Sequence, residues 1–141
     1  MAFSLTSFAL IFTIAAIGIS EMSYLIRKRI AAQKPVCPIG EGCDVVLKSK
    51  YSRMFFGLHN DIAEMVFYVV ICVFSALVVL EAYFVLRLIL AMELLLVGAS
   101  IMSTVFLYIQ WRVLKAWCFW CVMSAATIGA MDIIISLEVL V

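Results

Sequence analysis

Four long stretches of the sequence are almost uniformly apolar, and more polar segments separate them. A helix needs about 20 predominantly apolar residues to cross the hydrocarbon core of a bilayer, and each stretch meets that length. We therefore predict an all-α membrane protein, a bundle of four antiparallel transmembrane helices. The predicted helices cover about residues 3–25, 62–84, 88–111 and 117–140.

The connection between the first two helices, residues 27–61, differs from the rest of the chain. It contains both prolines, the only histidine and seven of the ten lysine and arginine residues. Long connections in compact proteins are usually functional or disordered. Because aromatic and apolar residues are interspersed in this one, we expect an ordered loop that caps the bundle at the membrane interface. Residues 1–141 then form a single membrane domain.

The composition supports a membrane protein and excludes several other classes. The chain is 67% hydrophobic and 13% charged, whereas soluble domains are about 45–50% apolar and about 25% charged. A net charge of +1 argues against a nucleic-acid-binding protein, which needs a basic surface. We expect membrane lipid as a partner and no nucleic acid.

Four of the five cysteines are expected at one end of the bundle. Cys37 and Cys43 lie in the long loop, and Cys118 and Cys121 form a Cys-x-x-Cys motif at the start of the fourth helix. In an antiparallel bundle the loop and this helix start emerge on the same face of the membrane. At a helix N-terminus the dipole and free N–H groups stabilise a thiolate, so the motif is typical of a redox site. The loop pair can exchange electrons with it by thiol–disulfide exchange.

Four thiolates also suit a structural zinc site or a pair of structural disulfides. However, Phe119 and Trp120 separate the helix cysteines at a lipid boundary, and no histidine is nearby in the sequence. This is a poor tetrahedral cage, so we predict no metal ligands. A small membrane metal carrier or sensor that uses the four thiolates is the alternative function.

The two cysteine pairs together resemble those of the vitamin K epoxide reductase family, whose catalytic unit is a four-helix membrane bundle. The resemblance spans nearly the whole chain. It rests on the following residues: Cys37 and Cys43 with five residues between them, the run Asp44 to Ser52, Gly57, and Cys118-x-x-Cys121. The thioredoxin-like domain appended to many bacterial members is absent from this sequence, so the resemblance implies a separate thioredoxin-like redox partner.

The resemblance implies a quinone-dependent thiol oxidoreductase that supports protein disulfide formation. In the implied relay, partner thiols exchange with Cys37. Cys43 then attacks Cys118, and Cys121 faces the bound quinone, which accepts two electrons.

The resemblance also implies residues of the quinone site. Asn60 matches the position that hydrogen-bonds the quinone carbonyl in vertebrate members, and an amide donor in a dry pocket stabilises developing oxyanion character. Asn60 is equally well placed to be the N-cap of the second helix. Ser49 matches a position near the loop that supports the site. Because Ala63 and Ala125 stand where vertebrate members have aromatic residues, we expect a plain menaquinone or ubiquinone rather than a vitamin K epoxide.

The charge distribution predicts which side of the membrane carries the cysteines. Nine of the ten lysine and arginine residues lie at the end of the bundle that carries the cysteines, and only Arg87 lies at the opposite end. The positive-inside bias then places the cysteine face in the cytoplasm. Most family members face the periplasm or endoplasmic-reticulum lumen, and inverted archaeal members are part of what the resemblance allows. A cell-membrane protein with a cytoplasmic site is the prediction, and an extracytoplasmic site is the alternative.

Two acidic residues, Glu93 and Asp132, fall inside the predicted spans. Acids in the bilayer are energetically costly and by default suggest function. We expect a structural polar cluster in which they share a site with Arg87, and proton conduction toward the quinone is the alternative.

Overall fold

The computed structural model of the chain describes residues 5–31, 37, 59–80 and 83–140. Within these ranges the chain forms four long α-helices and a π-helical turn, and no strand. The elements are α1 Leu5–Ile30, α2 Asn60–Val79, α3 Val85–Ile109, the π-helical turn Gln110–Leu114, and α4 Phe119–Leu140. Each long helix, with the π-helical turn counted as part of α3, is long and apolar enough to cross a membrane. The predicted all-α four-helix membrane bundle is therefore confirmed.

The helix ends differ from the predicted ones by up to five residues. α1 continues to Ile30 because the three basic residues in its last turn interact favourably with the negative end of the helix dipole. α2 begins at Asn60 and ends at Val79, so the connection to α3 precedes Arg87, which lies in the first turn of α3. Most of the predicted capping loop, including Cys43 and Ser49, lies outside the described residues.

The helices pack as two pairs. α1 packs mainly against α2 and α3 mainly against α4, while α1 also contacts α4 and only sparse contacts join α2 to α3. All four helices contribute fully buried apolar side chains to the centre of the bundle, among them Ile11, Ile71, Leu96 and Met131. The loose contact between α2 and α3 leaves room for a cavity between them.

Tyr68 is fully buried on α2 and packs where α1 carries Gly18. A Cβ added at Gly18 would lie 2.5–2.6 Å from three atoms of the Tyr68 ring, closer than real side chains approach one another. Glycine therefore lets α1 approach α2 at this point. Across the bundle the Tyr68 hydroxyl reaches Ser124 on α4, so this one side chain connects three helices.

Two carboxylates inside the membrane join α3 to α4. The Ser100 hydroxyl donates to Asp132 at 2.9 Å, and the Ser136 hydroxyl donates to Glu93 at 3.1 Å. Arg87 instead lies over the Phe84 ring, 6.0 Å from its centroid. The expected polar cluster thus forms with serines of the neighbouring helix, and the expectation that Arg87 shares it is wrong.

Candidate functional site

Cys118 is held in a fully buried position immediately before α4. The π-helical turn Gln110–Leu114 and Lys115, which adopts a left-handed conformation with φ 51°, turn the chain from α3 toward it. The Gln110 side chain, itself fully buried, accepts the backbone N–H of Cys118 through its Oε1 atom at 3.0 Å. Single π-helical turns are frequent at functional sites, and this one anchors the residue that begins the Cys-x-x-Cys motif.

The start of α4 favours the charged form of the Cys118 thiol. The hydrogen bond from the Cys121 side chain is the largest cause that lowers the pKa of Cys118. Burial opposes this effect on the pKa of Cys118, and hydrogen bonds from the backbone N–H groups of Cys121 and Trp120 act in the same direction as the Cys121 side chain. Glu64 raises the pKa of Cys118 only when it is ionised. A thiolate is the nucleophile in disulfide exchange, so Cys118 is suited to that role.

The hydrogen bond from the Cys121 side chain to Cys118 predicts a pH dependence that can be tested. Because alanine has no S–H group, we expect Cys121→Ala to raise the pKa of Cys118, so that its thiolate forms only at higher pH. Cys121→Ser keeps a hydroxyl donor and is the matched control with a smaller shift. The measurement is the Cβ chemical shift of 13C-labelled Cys118 across pH in reduced protein. Cys37, Cys43 and Cys72 are alanine in every sample, and residue 121 is cysteine, serine or alanine. Equal titration midpoints in the unsubstituted and alanine forms would show that the Cys121 thiol does not tune Cys118.

The loop cysteine Cys37 packs against Cys118. Cys37 is disulfide-bonded, whereas Cys118 and Cys121 are free thiols. The structure thus brings a cysteine of the predicted redox loop next to the helix pair. Over the described ranges, no group of three or more His, Cys, Asp or Glu side chains is arranged to hold a metal ion.

A cavity of about 680 Å³ lies between α2 and α3 and extends to Cys121 on α4. Its polar side chains are Asn60, Glu64, Ser103 and Cys121, and its other lining residues are apolar or glycine. They are Ile62, Ala63, Val66, Phe67, Val70, Leu94, Leu95, Gly98, Ala99, Met102, Phe106 and Ile128. Val66 and Leu94 are 57% and 75% exposed on the outside of the bundle, so the cavity opens sideways toward the lipid.

Asn60 is the first residue of α2, and the N-cap position belongs to His59. The alternative prediction that Asn60 caps this helix is therefore wrong. Asp61 instead accepts the backbone N–H of Ile62 at 2.8 Å. Asp61 also forms an ion pair with Arg29 at the end of α1, with Nε 3.0 Å from Oδ2. This pair fixes the start of α2, where Asn60 lines the cavity together with Cys121.

A hydrogen-bonded chain beside the cavity was missed by the sequence patterns. The Ser124 hydroxyl donates to Oε2 of Glu64 at 2.6 Å, and the Tyr68 hydroxyl lies 2.7 Å from the Ser124 oxygen. An acid inside a membrane span is the one signal that points to Glu64. Ser124 is 60 residues from Glu64 and 56 residues from Tyr68 in the sequence, so no local pattern reveals these hydrogen bonds.

Comparison with known proteins agrees with this geometry. A family model described as "Vitamin K epoxide reductase family" matches residues 9–136. The matched region includes both cysteine pairs and every residue that lines the cavity. A search of curated proteins finds no match.

Proposed function

Since the chain belongs to the vitamin K epoxide reductase family and is accordingly a membrane oxidoreductase, we propose that it oxidises the thiols of a separate thioredoxin-like protein and transfers their two electrons to a quinone. The observation that carries this proposal is the position of Cys118. Its side chain contacts both disulfide-bonded Cys37 and Cys121, and Cys121 lines the cavity. The arrangement supports a path for electrons from loop to cavity, and the product is a disulfide in the partner protein.

The first steps of the proposed path are thiol–disulfide exchanges. Partner thiols reduce a disulfide between Cys37 and Cys43, with Cys37 forming the mixed disulfide. The Cys43 thiolate then attacks the Cys118 sulfur of an oxidised Cys118–Cys121 pair and releases the Cys121 thiol. Attack by Cys37 on Cys43 closes the loop disulfide again and leaves Cys118 and Cys121 reduced. That redox state matches the free thiols of these two residues and the disulfide-bonded Cys37.

The cavity is suited to a quinone head group with an isoprenoid tail. Its lining is mainly apolar and it opens to the lipid, where such molecules dissolve. In our proposal the Asn60 amide donates a hydrogen bond to a quinone carbonyl, and such a donor stabilises developing oxyanion character. In the same proposal Ser49, which lies outside the described residues, supports the site as the family resemblance implies. Ala63 lines the cavity with only a methyl group, which favours a plain menaquinone or ubiquinone over an epoxide substrate.

The direct test uses the purified protein in lipid vesicles. We expect protein with reduced Cys118 and Cys121, mixed anaerobically with ubiquinone or menaquinone, to bleach the quinone absorbance in proportion to the thiols oxidised. Adding a reduced thioredoxin-like protein should make the reaction catalytic. Stoichiometric zinc binding without quinone reduction would instead support the metal-carrier alternative.

We further propose that the cysteine end faces the cytoplasm of the cell. The ring pair Tyr24–Trp120, with centroids 4.9 Å apart, places the basic end of α1 beside the start of α4. Arg27, Lys28 and Arg29 therefore share the end that carries Cys118, and the positive-inside bias applies to that end. The test treats intact reduced cells carrying Cys37 as the sole cysteine with a membrane-impermeant thiol reagent. We expect labelling only after permeabilisation, and labelling of intact cells would place the site outside.

A further inference from the structure

We infer that Glu64 is the proton donor of the quinone reduction, holding a carboxyl proton in the cavity and giving it to a quinone carbonyl oxygen. This inference rests on the proposed function. Glu64 is suited to this role by its position, by the proton balance of the reaction and by its hydrogen bonds.

Glu64 lies in the lining of the cavity in which we propose that the quinone binds. Asn60 and Glu64 are four residues apart on α2, so they lie on the same face of the helix, and both line the cavity together with Cys121. The Asn60 amide donates a hydrogen bond but does not give up its proton, and a serine hydroxyl such as that of Ser103 is a very weak acid. Of the described residues that line this cavity, Glu64 alone carries a carboxyl group.

The proton balance requires a group of this kind. A quinone takes up two electrons and two protons to become a hydroquinone. When Cys118 reacts as a thiolate, oxidation of the Cys118–Cys121 pair to a disulfide supplies both electrons but only one proton, from the Cys121 thiol. With Glu64 as the donor of the second proton, the products are hydroquinone, the Cys118–Cys121 disulfide and the Glu64 carboxylate. Atoms, electrons and charge then balance, and Glu64 takes up a proton again before the next turnover.

The hydrogen-bonded chain accommodates Glu64 with and without its proton. With Glu64 as a carboxylate, Ser124 donates to Glu64 at 2.6 Å and the Tyr68 hydroxyl donates to the Ser124 hydroxyl oxygen at 2.7 Å. With Glu64 protonated, the carboxyl donates to Ser124 and the Ser124 hydroxyl turns toward Tyr68. The Tyr68 hydroxyl then donates to the Ser124 carbonyl oxygen, 3.4 Å away. No member of this buried chain loses its partner in either state, so Ser124 and Tyr68 are positioning residues for the carboxyl group.

Among the residues that the structure describes, no cationic side chain pairs with the Glu64 carboxyl to hold it as a carboxylate. Arg29 at the end of α1 is paired with Asp61. The cavity-lining residues from α3 carry no titratable side chain. The titratable groups that face or act on Glu64 are Glu21 on α1, Asp61 and Tyr68 on α2, and Cys118 and Cys121 at the start of α4.

The kinetic test compares two isosteric substitutions of intramembrane glutamates. Pre-reduced protein in lipid vesicles is mixed with ubiquinone, and the single-turnover loss of quinone absorbance is followed. We expect Glu64→Gln to slow this step by about 100-fold, the lower range for losing an acid catalyst. Glu93→Gln, which also removes a carboxyl that accepts a serine hydroxyl but lies outside the cavity lining, should leave it unchanged. Reduction of the oxidised Cys118–Cys121 pair by dithiothreitol needs no quinone and should be equally fast in both variants.

An infrared measurement tests the proton itself and does not depend on a folded Glu64→Gln variant. In protein labelled with 13C-carboxyl glutamate, quinone reduction should remove a protonated-carboxyl band, both in the unsubstituted protein and in Glu93→Gln. No change in any glutamate carboxyl band would overturn the role of Glu64, as would equal rates for the two variants when the unsubstituted protein is active. Unsubstituted protein that reduces no quinone at all would instead overturn the proposed function, and this inference with it.

Discussion

Cys121→Ser is expected to abolish quinone reduction and to trap a covalent link between the two cysteine pairs. Without the second thiol, Cys118 has no partner for the disulfide that delivers two electrons to the quinone. We expect the rate to fall by at least about a thousandfold, the scale seen when other enzymes lose a nucleophile. Serine keeps a hydrogen-bond donor beside Cys118, so its thiolate can still attack Cys43 of the loop disulfide and release Cys37. Cys121 is no longer present to release Cys43 from the mixed disulfide between Cys43 and Cys118. That species therefore accumulates, and only the back reaction of Cys37 opposes it.

The trapped species is measured by non-reducing electrophoresis and by mass spectrometry of peptides. The matched control is Cys72→Ser, the same substitution at a free cysteine on α2, whose thiol lies 3.7 Å from the Phe12 carbonyl oxygen and lines no part of the cavity. It should show normal activity and no crosslink. A link between Cys37 and Cys118 in the Cys121→Ser protein would reverse the proposed order of the loop cysteines.

Filling the cavity from α3 is expected to block quinone reduction while leaving disulfide exchange intact. Gly98 lines the cavity, and a Cβ built on it meets no atom within 4 Å. A phenylalanine there therefore finds space in the cavity rather than a clash with the bundle. We expect Gly98→Phe to lower kcat/KM for the quinone by at least about tenfold, which corresponds to about 1.4 kcal/mol of transition-state binding.

Gly129 supplies the control for this experiment. A Cβ on Gly129 also meets nothing within 4 Å, but Gly129 on α4 does not line the cavity. Gly129→Phe should therefore retain quinone reduction, and both variants should exchange disulfides with a reduced partner at the normal rate. Equal quinone kinetics in the two variants would mean that the quinone is reduced somewhere other than this cavity.

The membrane bundle and the meeting of the cysteines were predictable from the sequence for physical reasons that act locally. A span is recognised by length and hydropathy because lipid requires an apolar helix of sufficient length. Consecutive spans alternate in direction, so the loop after α1 and the start of α4 must lie at the same end. Cys37 and Cys118 are adjacent in the structure as that topology requires. The family resemblance was likewise predictable, since its motif lies in short stretches of the chain.

The helix ends and the partners of the polar groups were decided by the tertiary structure. Hydropathy did not locate the end of α2 at Val79, because the chain stays mainly apolar as far as Phe84, with Glu81 as the one charge and no glycine or proline. That Asn60 lines a cavity depends on where α3 and α4 lie. Two hydrogen bonds join residues on different segments of the chain. The Cys118 N–H donates to Gln110, and the Ser124 hydroxyl donates to Glu64. Hydropathy and motif spacing describe a residue by its neighbours in the chain, whereas a cavity and a buried hydrogen bond depend on which helices pack together.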